Sequence, residues 1–89
     1  MVNPGKVVDN VLGNNVKMSD LVLSNDWTYS DKVDIVQRYA RQVENWLRKD
    51  GQTVAANLVR TGDWTYDDMV GFADHYRNKI VKLMRRDGW

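Results

Sequence analysis

The chain has 89 residues, 13 basic and 12 acidic, with a formal net charge of +1. That leaves room for one domain, and bulk charge selects neither nucleic acid nor a strongly charged partner. The absence of cysteine excludes disulfides and thiolate–metal sites. No apolar run approaches the roughly 18–20 residues that span a bilayer. Met1-Val2-Asn3-Pro4-Gly5 lacks the basic and apolar regions of a signal peptide. A soluble, cytoplasmic protein is expected. The four Trp and four Tyr supply large apolar surfaces, which argues against disorder over most of the length.

The first residues predict one or two helical turns. Asn3 is a suitable cap, Pro4 suits the first helical position, and Val7, Val8, Val11 and Leu12 share a face. Gly13-Asn14-Asn15 would end them. A short helix over 16–23 follows, carrying Met18, Leu21 and Val22.

Asp26-Trp27-Thr28-Tyr29 then opens a long helix. Thr28 is a good N-cap, and Asp31 stands three residues on, in the manner of a capping box. Trp27, just before the cap, is placed to staple onto the first turn. Tyr29, Val33, Val36, Ala40, Val43 and Leu47 recur at spacings of four and three, which puts them on one face. Tyr39 and Trp46 widen that stripe. Acids lie toward the helix start, Arg48-Lys49 lies at its end, and Gly51 is a natural residue just beyond it. Such a helix would run about 22 residues, roughly 33 Å.

The same order then repeats. Residues 52–60 predict a short helix with Val54, Ala55, Leu58 and Val59, closing at Thr61-Gly62. Asp63-Trp64-Thr65-Tyr66 opens a second long helix, with Asp68 three residues after the Thr. Its stripe holds Tyr66, Val70, Ala73, Ile80 and Met84, with Met69, Phe72, Tyr76 and Leu83 alongside. Arg85-Arg86 and Gly88 end it, and Trp89 follows as either a plug on the core or an apolar tip.

A shift of 37 positions aligns residues 26–51 with 63–88 without a gap, and ten of the 26 pairs are identical. Average composition would give about one or two. Two copies are fewer than a stacking solenoid needs. The expectation is therefore one all-α domain over 1–89, a compact arrangement of about four helices. It is built from two short-helix/long-helix units, approximately 14–51 and 51–88, related by approximate two-fold symmetry. Arg77 stands where the first copy has Ala40, so the two long helices cannot pack identically.

Chemistry has little support. His75 is the only histidine, and no nucleophile is paired with a base. Asp63, Asp67 and Asp68 lack the alternating ligands and glycine of a calcium loop, and no glycine-rich phosphate loop is present. No enzyme, metal or cofactor is expected.

Two kinds of partner remain. The aromatic residues Trp27, Trp46, Trp64, Phe72 and Trp89 are candidates for a protein interface or a homodimer, since Trp and other large apolar anchors dominate interface energetics. Against that, Trp27 and Trp64 precede helix caps, where a staple buried in the core is the simpler reading. The alternative partner is nucleic acid, gripped by basic edges: Arg38, Arg41 and Arg48 on the first long helix, Lys79, Lys82 and Arg86 on the second. Positive charge near helix C-termini is also expected for stability alone. A helix-turn-helix reading fits poorly, because the linker around Thr61-Gly62-Asp63 is long and so is the helix after it. The sequence favours a non-enzymatic interaction module, a small regulator or structural adaptor, with neither membrane nor small-molecule substrate evident.

Overall fold

A computed structural model describes residues 17–89. The helix expected after Pro4, and the first residues of the 14–51 unit, lie outside them. The described residues hold six α-helices and no strand: α1 (Met18–Leu23), α2 (Tyr29–Arg38), α3 (Ala40–Lys49), α4 (Thr53–Thr61), α5 (Tyr66–His75) and α6 (Arg77–Arg86). They fall into two units, one of residues 17–26 with Val81–Trp89 and the other of Trp27–Ile80.

In the first unit α1 meets the end of α6. Ser19 is fully buried, and its hydroxyl donates to the main-chain oxygen of Trp89 at 2.7 Å, as does its own N–H at 3.3 Å. A buried hydroxyl is costly unless paired, so this bond is a condition of the packing. Arg85 Nη2 reaches Asp20 Oδ1 at 3.0 Å across the surface. Val22, Val81 and Met84 are the buried apolar residues here, and the Trp89 side chain is half-buried.

In the second unit α3 packs on α4 and α2 packs on α5. The starts of α2 and α5 carry the expected capping boxes. Thr28 Oγ1 accepts from the Asp31 N–H at 3.1 Å while the Thr28 N–H donates to the Asp31 carboxylate at 3.1 Å. Thr65 and Asp68 make the same exchange at 3.0 Å in both directions. Two of the orphan donors at each helix start are thereby satisfied.

The helix ends are equally definite. The Gly62 N–H donates to Val59 O and the Asp63 N–H to Leu58 O, the paired bonds of a Schellman motif, with Gly62 at φ +81°. Gly51 and Gly88 close α3 and α6 in the same conformation, and at the end of α1 it is Asn25 that takes a positive φ, 65°.

Neither expected long helix is continuous. Tyr39 (φ −107°, ψ 27°) separates α2 from α3, and Tyr76 (φ −102°, ψ 20°) separates α5 from α6. Hydrogen bonds continue on both sides, Tyr39 N–H to Ile35 O at 3.1 Å and Val43 N–H to Tyr39 O at 3.0 Å. Each break is therefore one residue's departure from helical dihedrals. No Gly or Pro marks it, which is why periodicity predicts an unbroken helix. Both tyrosines are buried, so packing rather than local propensity places the turn.

The buried stripe largely follows the expected one. Val36, Tyr39, Val43 and Leu47 are buried in the first stretch, joined by Ile35, and Met69, Ala73, Tyr76, Ile80 and Met84 in the second, joined by Val81. Tyr29 and Tyr66, expected at the head of each stripe, are 51% and 61% exposed. They are the first residues of α2 and α5, and helical side chains lean toward the N-terminus. Their rings therefore project past the packed turns.

Three substitutions test this architecture by thermal or denaturant melts. Thr65→Ala removes a cap and should cost about 1 kcal/mol. Trp64→Ala deletes a ring that is 8% exposed and should cost about 3–5 kcal/mol. A Cβ at Gly62 meets nothing within 4 Å, so Gly62→Ala should cost about 1–2 kcal/mol from backbone conformation alone.

Candidate interaction surfaces

Two open hollows lie in the Trp27–Ile80 unit. The larger, about 550 Å³, sits between the α3–α4 turn and the end of α5. Its apolar floor is Leu47, Ala55, Phe72 and Tyr76, and Asp50, Gln52 and His75 form an exposed polar rim. Phe72 comes from α5 and is half-buried, with its ring 5.9 Å from that of Trp64 and stacked at 26°. Tyr76 donates its phenolic hydrogen to Asp50 Oδ2 at 2.6 Å, and the His75 ring meets it edge-on at 4.7 Å. Trp46, half-buried on α3, also packs on Tyr76, ring centres 5.3 Å apart and tilted by 42°. The Lys79 ammonium lies 5.8 Å from the Trp46 ring centre, a cation over an indole face.

The smaller hollow, about 300 Å³, is lined by Tyr29, Ser30, Val33, Asp34, Gln37 and Tyr66. Tyr29 Oη donates to Asp67 Oδ1 at 3.4 Å. Its phenol is held above the usual tyrosine range, first by desolvation, then by the Asp67 charge and hydrogen bond and by Tyr66. Nearby, Lys32 is bound to Asp74 at 2.9 Å and lies over the Trp27 ring.

The residues singled out by sequence are dispersed. Trp27 and Trp64 are buried, at 4% and 8% exposure, so their indoles belong to the interior. Phe72 lines the larger hollow with Tyr76, whereas Trp46 is outside its lining and packs on Tyr76. Trp89 lies in the other unit, its main-chain oxygen held by Ser19. Of the basic residues, Arg38, Arg41, Arg48, Lys79, Lys82 and Arg86 are all exposed. Arg48 is engaged by Glu44 at 2.7 Å and Asn57 at 3.0 Å, and Arg86 by Asp87 at 3.2 Å. Arg77 is half-buried, and its Nε finds no hydrogen-bond partner among the described residues.

Periodicity places the exposed pair Tyr29 and Tyr66 on the core face. Their position immediately after the cap threonines was the signal that separates them from the stripe. Among the described residues no cluster of three metal-ligating side chains occurs, and no helix is long and apolar enough to cross a membrane. Comparison with protein-family models, curated proteins and solved structures finds no match.

The Tyr76–Asp50 bond gives a pH-dependent test. Burial, then the bond to Asp50, pushes the Tyr76 phenol up to about 12 from 10.0. A raised folded-state value stabilises the fold fully below the unfolded value, near pH 10, and the contribution is lost as pH rises through about 12. Alkaline titration followed by phenolate absorbance should show one tyrosine ionising last, and Tyr76→Phe should remove that step. Persistence of the late step in the variant would assign it elsewhere.

Proposed function

We propose that the chain is a non-enzymatic interaction module that binds a protein partner, or a second copy of itself, as a small regulator or structural adaptor. The observation that carries this reading is the larger hollow. Its apolar, aromatic floor within a polar rim has the anatomy of a protein interface core. Phe72 and Tyr76 within it are aromatic side chains of the kind enriched at interfaces, and Trp46 supports Tyr76 from outside the lining.

The finer architecture we propose is two copies of one unit, 14–51 and 51–88, each a short helix followed by a bent long one. Counting each bent pair as one element gives four helices. Helix bounds support the duplication: α2 and α3 shifted by 37 coincide with α5 and α6. Contacts between α2 and α5 support a two-fold relation there. Lys32 meets Asp74, and Gln37 meets Met69, which is the same pair with the copies exchanged. Reciprocal contacts of this kind are the mark of an isologous pairing.

A second reading, nucleic-acid binding, draws on Arg41, Lys79 and Lys82, which are exposed and make no ion pair among the described residues. Lys79 over Trp46 would join a phosphate-seeking cation to a stacking surface. One experiment separates the two. The tagged protein is used to capture partners from its native host, with and without nuclease, alongside Ala55→Arg and Lys82→Glu/Arg86→Glu variants. Under the protein reading a specific partner survives nuclease and is lost at least tenfold with Ala55→Arg, while the variant melts like the parent. Capture that disappears with nuclease and with Lys82→Glu/Arg86→Glu would overturn it in favour of nucleic acid.

A further inference from the structure

We infer that the hollow between Tyr29 and Tyr66 is the acceptor half of a head-to-tail contact between copies of this chain, and that its occupant is the basic end of α6, Lys82 and Arg86, of a second copy. The inference rests on the interaction-module reading and adds to it a different surface and a definite occupant.

The acceptor is unusual for a surface of this size. Among the described residues four large hydrophobic side chains are exposed, Leu23, Tyr29, Val54 and Tyr66, and two of the four line one hollow. Both rings sit directly after a capping box, on helices packed against each other, so their backbones are set before anything binds. Preorganised aromatic rings lose little freedom on binding.

The chemistry of the hollow selects a cation with an apolar stem. Asp34 lines it, Asp67 holds the Tyr29 hydroxyl, and the tyrosine faces carry negative π density. The nearby cation Lys32 is committed to Asp74 and Trp27, and so does not neutralise the site. A lysine or arginine laid across the rings would bury its methylene stem there and place its charge at the carboxylates.

The chain carries that group itself. α6 holds Arg77, Lys79, Lys82, Arg85 and Arg86 and no acid. Lys82 and Arg86 are exposed and four residues apart, on one helix face. Arg85 is tied to Asp20 and Arg86 to the adjacent Asp87, an exposed pair that the acceptor's carboxylates would replace, whereas Lys82 makes no ion pair among the described residues. Because donor and acceptor are different surfaces, each copy would offer one of each, so the contact is heterologous. Between exposed charges it should weaken steeply with salt.

The test is sedimentation of the full chain at low salt and at about 0.5 M salt, with Tyr29→Ala/Tyr66→Ala and Lys82→Glu/Arg86→Glu as variants. The parent should self-associate at low salt and at least tenfold more weakly at high salt. Each variant alone should associate at least tenfold more weakly than the parent. An equimolar mixture of the two should recover a one-to-one complex, because one intact acceptor then meets one intact donor. Should the tyrosine pair fail to fold by circular dichroism, Asp34→Lys takes its place with the same expectation. A parent monomeric at high concentration, association indifferent to either pair, or a mixture that stays monomeric would each overturn the inference. None of these outcomes touches the larger hollow, whose own test is the Ala55→Arg capture.

Discussion

The reciprocal bonds of Thr28 with Asp31 and of Thr65 with Asp68 set the frame on which the rest of the larger unit is built. Each fixes the residue at which a helix begins, and with it the rotation of every side chain that follows. Trp27 and Trp64 are thereby delivered to the interior one residue before the cap, and Tyr29 and Tyr66 to the surface one residue after it. A slip of one position would rotate each helix by about 100° and bring the wrong faces together. The α2–α5 contact, with its Lys32–Asp74 and Gln37–Met69 pairs, depends on that phase being right in both helices at once.

The second constraint is the pair of buried tyrosines that interrupt the helices. Interrupted at Tyr39 and Tyr76, two long stretches become four segments of ten residues each. α2 and α5 then meet each other while α3 is turned to α4. Tyr76 also organises what surrounds it. Its hydroxyl holds Asp50, its ring supports Trp46 and His75, and its buried face forms part of the floor of the larger hollow. The same side chain thus shapes the fold and the surface proposed to meet a partner.

What was legible in the sequence was local chemistry. A threonine three residues before an aspartate, or a glycine after a basic turn, acts through its own backbone, so Thr28, Thr65, Gly51, Gly62 and Gly88 could be placed from identity and spacing. The all-helical class followed from the same signals. The bends were not legible, because nothing at Tyr39 or Tyr76 breaks a helix by itself; packing decides. The exposure of Tyr29 and Tyr66 was missed for a related reason. A period of 3.6 finds a stripe, but it does not say that a residue in the first turn reaches beyond the neighbouring helix. At the larger hollow Phe72 is legible in the sequence as a candidate, while Asp50, Gln52 and Ala55 join it only through the turn between α3 and α4.

The bond between Tyr76 and Asp50 also bears on how the chain can be divided. Asp50 directly follows α3 and Tyr76 lies between α5 and α6, 26 residues apart. A peptide holding only residues 51–89 would keep an aromatic ring built for burial but lose the acceptor for its hydroxyl, an unmet demand in a nonpolar setting. It would lose as well the α2 surface on which α5 rests. Severed after Asp50, the chain would yield two fragments, each missing surface that the other supplies.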